Sequence, residues 1–299
     1  MSPEIQAMHD ALERQGYVAD RAVAMALFLA DDLEKPLLIE GDAGVGKTEV
    51  AKVLARLLDT ELIRLQCYEG LDVNTSLYEW NYQRQMLRVR IAEQEGRDAS
   101  QIEEMIFGRS YLLERPLLRA ITRRDGPPVL LVDEVDRSDQ GFEAFLLEVL
   151  SDFQVTIPEL GTIRAEHVPY VVLTSNRSRE IGDALRRRCL YLFIEHPSLE
   201  KEVRILRSRV PGASAQLAGE VGRFMQALRG RRLLKSPGVA ESIDWAKALM
   251  KLRQEHLDVE AVEQTLGCIL KDQHDVHSLT TDELSSLVEE SRAAAVPTP

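Results

Sequence analysis

Residues 36–59, PLLIEGDAGVGKTEVAKVLARLLD, decide the fold of this chain. PLLIE is a short apolar run suited to a buried strand, and KTEVAKVLARLLD carries apolar residues at helical spacing. Between them Gly41, Asp42, Ala43, Gly44, Val45, Gly46, Lys47 and Thr48 fit G-x-x-x-x-G-K-[ST], in the strand-then-helix context that the motif requires. The glycines let backbone N–H groups turn inward on phosphates, and the helix N-terminus adds positive potential. Lys47 then reaches the β- and γ-phosphates and Thr48 ligates Mg²⁺. A chance glycine-rich turn would not come with both flanks, so a nucleotide, ATP with Mg²⁺, is expected here.

Further short apolar runs follow at ELIRLQC (61–67), PVLLVD (128–133), YVVLTSN (170–176) and CLYLFI (189–194), with helical patterns between most of them. That alternation predicts an α/β fold, a P-loop αβα core on a parallel sheet, over residues 1–196. The charged segment 78–115 breaks the alternation and reads as a helical insertion. QVTIPELGTIRA (154–165) reads as a hairpin, with Pro158 to Gly161 in the turn. After His196-Pro197 no strand-like run remains, and four amphipathic stretches predict an all-helical lid domain over 197–299. AAAVPTP (293–299) is expected to be a loose tail.

PVLLVDEVD ends a strand on Asp133-Glu134. An acid at a strand end beside a phosphate loop can hold Mg²⁺ through water, which suits Asp133. The next acid, Glu134, can orient and deprotonate an attacking water. Asn176, closing the following strand, can fix the same water and sense the γ-phosphate. An isolated Asn at a strand end is usually turn chemistry, and it gains weight here as the third such element in order.

The chain has 299 residues, 44% apolar and 29% charged, with a net charge of -12, which describes a globular protein. That balance argues against sequence-independent nucleic-acid binding, which needs a basic face. No apolar run is long enough for a membrane helix, and the polar, acidic N-terminus is wrong for a signal peptide. Three scattered cysteines suit a reducing cytoplasm, with Cys67 and Cys189 as core residues. Cys268, His274 and His277 lack the second pair that a metal site needs.

Together these elements resemble the AAA+ ATPases: Walker A is GDAGVGKT, Walker B is VLLVDE, and sensor 1 is the Asn of LTSN. The insertion, the hairpin and the phrase DEVDRSDQGFEAFLLEVLSDFQVTI resemble the MoxR branch. QGYVADRAVAMALFLADDLEKPLLIEGDAGVGKTEVAKVLA and LIRLQCYEGLDVNTSLYEWNYQRQM are similar to the CoxD-type ATPases of carbon monoxide dehydrogenase maturation. The resemblance implies ATP hydrolysis in a ring, usually a hexamer, with a von Willebrand factor A domain partner and a client metalloenzyme that is remodelled or matured. It puts the arginine finger in ALRRRC: Arg188 first, Arg187 second and Arg186 last, the alternative being a solvated basic turn. Tyr17 and Val18 lie where the family cradles adenine, with core packing the alternative. The sensor 2 arginine of such lids falls here on Gly238, and Lys235, Arg231 and Arg232 are the nearby cations.

Two other functions compete with a remodelling chaperone. One is a DNA-associated motor or clamp-loader-type switch, against which the acidic balance counts. The other is a nucleotide-controlled assembly scaffold with little turnover. Trp80 and Tyr82 either face a partner or pack the insertion onto the core.

Overall fold

The computed structural model describes residues 2–293, so the expected tail lies, beyond Ala293, outside the described residues. Five strands form a wholly parallel sheet: β1 (Leu37–Glu40), β2 (Leu62–Gln66), β5 (Val129–Asp133), β8 (Tyr170–Ser175) and β9 (Leu190–Phe193), in the order β2-β5-β8-β1-β9. Every residue of β1 and β5 is buried, the continuous apolar pattern of strands covered on both faces. Helices α1 (Pro3–Arg14) and α2 (Arg21–Asp32) precede β1, and α3 (Lys47–Leu57) links it to β2. Between β2 and β8 come α4 (Val73–Ser76), α7 (Pro116–Thr122) and α8 (Gln140–Asp152). The register sets Gln66 opposite Asp133 and Glu40 opposite Ser175. The carboxyl ends of four strands therefore converge at one edge, the usual location of a site in an open α/β sheet.

The expected helical insertion contains α5 (Tyr82–Gln94) and α6 (Ala99–Ile106). It also contains two strands that the sequence reading lacks, β3 (Tyr78–Trp80) and β4 (Leu112–Glu114), which pair antiparallel and close its base. Trp80 is buried with its ring edge-on to Phe107 at 5.4 Å, whereas Tyr82 is 64% exposed. Of the two aromatics only Tyr82 faces solvent. A second antiparallel pair, β6 (Gln154–Ile157) and β7 (Gly161–Arg164), stands at the expected hairpin.

The chain divides into two compact units that interleave along the sequence. One holds the residues up to Ala11, Asp20–Glu40 and Thr48–Phe193; the other holds Leu12–Ala19, Gly41–Lys47 and everything from Ile194 onward. The first is centred on the sheet, with a core that includes Leu38, Leu130, Val132, Leu146 and Leu173. The second is built from α10 (Leu199–Arg209), α11 (Ala215–Arg229), α12 (Val239–Lys251), α13 (Val259–Ile269), α14 (Gln273–His277) and α15 (Thr281–Ala293). Its core includes Phe224, Trp245, Leu249 and Val262. The α/β class with a parallel sheet and a helical C-terminal region is the one expected from the sequence. No described helix is long and apolar enough to cross a membrane.

Candidate nucleotide site

The loop Gly41–Lys47 takes its shape from glycine. Gly44 (φ 76°) and Gly46 (φ 99°) are left-handed, a region costly for residues with a Cβ. Lys47 is buried, and its Nζ donates to the carbonyl oxygens of Gly41 (2.8 Å) and Asp42 (2.7 Å), arching the loop over the lysine stem. Among the described residues no acceptor takes the N–H groups of Gly44, Val45 or Gly46. A loop of donors without acceptors at the head of a helix fits a polyanion. The nucleotide phosphates expected here are therefore compatible with the residues present.

In the sheet unit, Asp133 is buried at the end of β5 and both its carboxylate oxygens are engaged. Its Oδ1 accepts from the hydroxyls of Thr48 (3.1 Å) and Thr174 (2.5 Å); its Oδ2 accepts from Arg64 Nε (3.0 Å) and Nη2 (2.6 Å). A hydroxyl and a carboxylate held this close form the hard-oxygen set that suits Mg²⁺. Glu134 follows in a left-handed conformation (φ 56°, ψ 50°), rare for a residue with a Cβ and concentrated at functional sites. Its N–H donates to Thr174 Oγ1 at 2.9 Å. Its Oε1 accepts from Asn176 Nδ2 (3.2 Å), and its Oε2 from Gln66 Nε2 (3.1 Å) and Arg137 Nη1 (3.1 Å).

Thr48, Asp133, Glu134 and Asn176 thus join one hydrogen-bonded cluster. Arg64, Gln66, Thr174 and Arg137 complete it, and the sequence reading assigns them no role. Arg64 and Gln66 had a signal, since they alternate with Ile63 and Leu65 in β2 and so leave one face of that strand polar at its carboxyl end. Asp136 is a further omission. Buried at 2% exposure, it accepts from the backbone N–H of Asn176 (3.2 Å) and Ser178 (2.8 Å) and from Ser178 Oγ (2.7 Å), fixing the chain that carries Asn176.

The three arginines occupy the last turn of a short helix, α9 (Asp183–Arg188), rather than a turn between elements. They differ in their surroundings. Arg186 is half-buried, pairs with buried Glu40 at 3.2 Å and stacks over Tyr191. Arg188 is exposed and donates to Ser151 Oγ, and exposed Arg187 has no hydrogen-bond or ion-pair partner among the described residues.

In the helical unit, Tyr17 and Val18 are half-buried in a segment fixed by Glu13, which accepts from Arg204 and from the N–H of Ala19 (3.1 Å). Gly238 lies against the phosphate loop: the N–H of Val239 donates to Gly44 O at 2.9 Å. His196 Nε2 is 3.5 Å from Asp42 Oδ2 in the same loop. The cations considered in place of a sensor 2 arginine divide: Arg231 pairs with Glu283 at 3.0 Å, and Lys235 and Arg232 are exposed.

Comparison with known proteins adds to this geometry. No curated protein matches the sequence. Among solved structures the chain is similar to a candidate ATPase from Cytophaga hutchinsonii, at 15% identity, covering 96% of this chain and 94% of that one with a TM-score of 0.51. It is also similar to the RuvB Holliday junction branch migration motor of Thermotoga maritima, at 16% identity, 89% of this chain, 70% of that one and a TM-score of 0.48. At 15% identity the likeness to the Cytophaga protein concerns the fold alone. The family model for the AAA domain, dynein-related subfamily, matches residues 36–189. That span is just over half of the chain and runs from the strand before the phosphate loop to the end of the arginine helix, so the chain belongs to the AAA+ ATPases.

Proposed function

We propose that this chain hydrolyses ATP as a ring-forming chaperone of the MoxR branch. The observation that carries hydrolysis is the cluster in which Thr48 and Asp133 (3.1 Å) adjoin Glu134 and Asn176 (3.2 Å). Lys47 and the N–H groups of residues 43–47 bind the phosphates, while Thr48 and Asp133 hold Mg²⁺. Magnesium, when bound with the nucleotide, neutralises charge on the phosphates. Glu134 accepts the proton of the attacking water at a carboxylate oxygen, and Asn176 orients that water. Of the two Glu134 oxygens, Oε1 accepts from Asn176 alone among the described residues and so keeps a lone pair for the water.

By position in the family pattern Arg188, with Arg187 second, is the finger offered to a neighbouring subunit; Arg186 is engaged by Glu40, and Arg188 must release Ser151 to act. Tyr17 and Val18 contact the base, and residues 1–196 and 197–299 are the αβα domain and the helical lid domain. The arm closed by β3 and β4, together with the hairpin directly before β8, supports the MoxR assignment. On that reading a cytoplasmic hexamer works with a von Willebrand factor A domain protein on a client metalloenzyme, of which carbon monoxide dehydrogenase is the type.

The solution mass of Glu134→Gln with ATP and Mg²⁺ tests this. A species about six times the 33.7 kDa chain, with Arg188→Ala keeping ATP binding but losing turnover, is the expected result. A monomer under all conditions removes the ring and the trans-acting finger. The scaffold reading has one observation in its favour, that both Glu134 oxygens are engaged. It predicts assembly with ATP but no measurable phosphate release.

A further inference from the structure

The contact between α12 and the phosphate loop is closer than ordinary packing. A Cβ placed on Gly238 would stand 2.6 Å from Gly44 Cα and 2.8 Å from Ala43 O, and one on Gly44 would stand 2.9 Å from Gly238 Cα. Two backbones thus meet where neither admits a side chain, which is the second requirement on Gly44 beside its left-handed φ. The approach brings two of the N–H groups that every helix leaves unpaired at its start onto one acceptor. Val239 N–H donates to Gly44 O at 2.9 Å and Ala240 N–H at 3.3 Å.

Gly238 is itself fixed. Its N–H donates to Glu241 Oε2 at 2.9 Å, the returning half of a capping box, and the preceding Pro237 carbonyl accepts from Arg229 Nε at 2.7 Å. No peptide bond among the described residues is cis. In a trans peptide the C=O and the following N–H point in opposite directions. Holding Gly44 O on α12 therefore turns Val45 N–H away from α12, and no protein acceptor among the described residues takes it.

We infer that the first turn of α12, through the backbone amide of Val239 and the bare Cα of Gly238, positions the phosphate loop by orienting the 44–45 peptide for an anion. The inference rests on reading Gly41–Thr48 as the nucleotide site. At the position where an arginine side chain is expected, Gly238 couples the helix to the loop through main chain rather than through charge. Coupling is reciprocal, so nucleotide should also hold α12 to the loop.

Val239 is the first residue of α12, where proline fits without breaking a helix, and Gly238 has the extended backbone (φ −88°, ψ −174°) that a following proline requires. Val239→Pro therefore deletes the donor, sets its ring against Gly44 O and keeps the helix, while Val239→Ala keeps the donor and trims the side chain. In a fluorescence titration with MANT-ADP and Mg²⁺, Val239→Pro should bind roughly 3- to 10-fold more weakly than Val239→Ala, the worth of one hydrogen bond. Without nucleotide, Val239→Pro should melt below Val239→Ala, because the bond to Gly44 O is present there too. Equal affinities within a factor of two overturn the inference. Hydrogen exchange on the wild-type chain gives an answer independent of either variant: the Val239 and Ala240 amides should exchange more slowly with ADP than without, and unchanged rates overturn it. If Lys47→Ala binds MANT-ADP as tightly as wild type, the nucleotide reading itself falls, and the positioning role with it.

Discussion

Arg229→Met should be among the most damaging single substitutions in the helical unit. Arg229 on α11 is 7% exposed and grips Glu202 of α10, which is fully buried, through Nη1 to Oε2 at 2.6 Å and Nη2 to Oε1 at 2.7 Å. Its Nη2 also donates to Ser242 Oγ of α12 at 3.1 Å, and its Nε donates to Pro237 O. One guanidinium therefore ties three helices and the segment that leads to Gly238. Methionine fills most of the volume, but leaves the Glu202 carboxylate with only Ser242 Oγ (2.6 Å) and Gln226 Nε2 (3.1 Å) as side-chain donors among the described residues. Removing one partner of a buried ion pair costs about 3–5 kcal/mol, because the remaining charge stays desolvated. With a urea dependence of about 2 kcal/mol per molar, the midpoint should fall by about 2 M. Trp245, fully buried against Phe224 at 5.0 Å, reports the transition, and Trp80→Phe removes the other tryptophan signal. Glu202→Gln added to Arg229→Met should recover most of the loss, since the two residues couple directly. A midpoint shift under about 0.5 M, or additive losses in the double variant, would refute the reasoning.

Three further outcomes are expected. Burial, with the charges of Asp133, Asp136 and Glu134 added at Cys67, pushes the thiols of Cys67 and Cys189 up to about 12; native protein should therefore leave both unreacted with a thiolate-selective reagent that labels all three cysteines in urea. His196 lies below its ordinary value of 6.5 because of burial first and the Arg229 cation second, with Asp42 opposing. Its contribution is thus complete above the unfolded value and is lost as pH falls through the folded one, so wild type should lose urea resistance between pH 7 and 5 more steeply than His196→Gln. Thr174→Val keeps the shape but removes the hydroxyl that donates to Asp133 and accepts from Glu134 N–H; it should cost about 1–3 kcal/mol in a denaturant melt, and unchanged stability together with unchanged turnover would contradict the role given to Thr174.

The parts of this molecule that are contiguous in sequence are the parts that sequence reading recovers. The phosphate loop is eight consecutive residues, and β1, β5 and β8 are unbroken apolar runs whose parallel, doubly covered state follows from having no polar face. Asp133, Glu134 and Asn176 are legible because each ends such a run. β3 and β4 escape notice because each is three residues long and owes its strand state to a partner some 30 residues away. Separations of 68 and 69 residues hide Gln66 and Arg64 as partners of Glu134 and Asp133, although the alternation in LIRLQ marks them as polar on one face. The resemblance ranks the three arginines of ALRRRC by position alone; Glu40, remote in sequence, and Tyr191 separate Arg186 from its neighbours. Gly238 reads as a missing arginine in the sequence, and only its contact with Gly44 gives it a positive role.

The most direct test of the account is phosphate release from ATP by wild type and Glu134→Gln over a range of protein concentrations, with MANT-ADP binding measured on the same samples. Wild type should turn over at a specific rate that rises with protein concentration as subunits associate. Glu134→Gln should bind nucleotide normally and lose at least about 100-fold in rate, the scale of a general base. Equal turnover in the two proteins, with binding intact in both, would contradict the assignment of Glu134 and with it the proposed chemistry of the site.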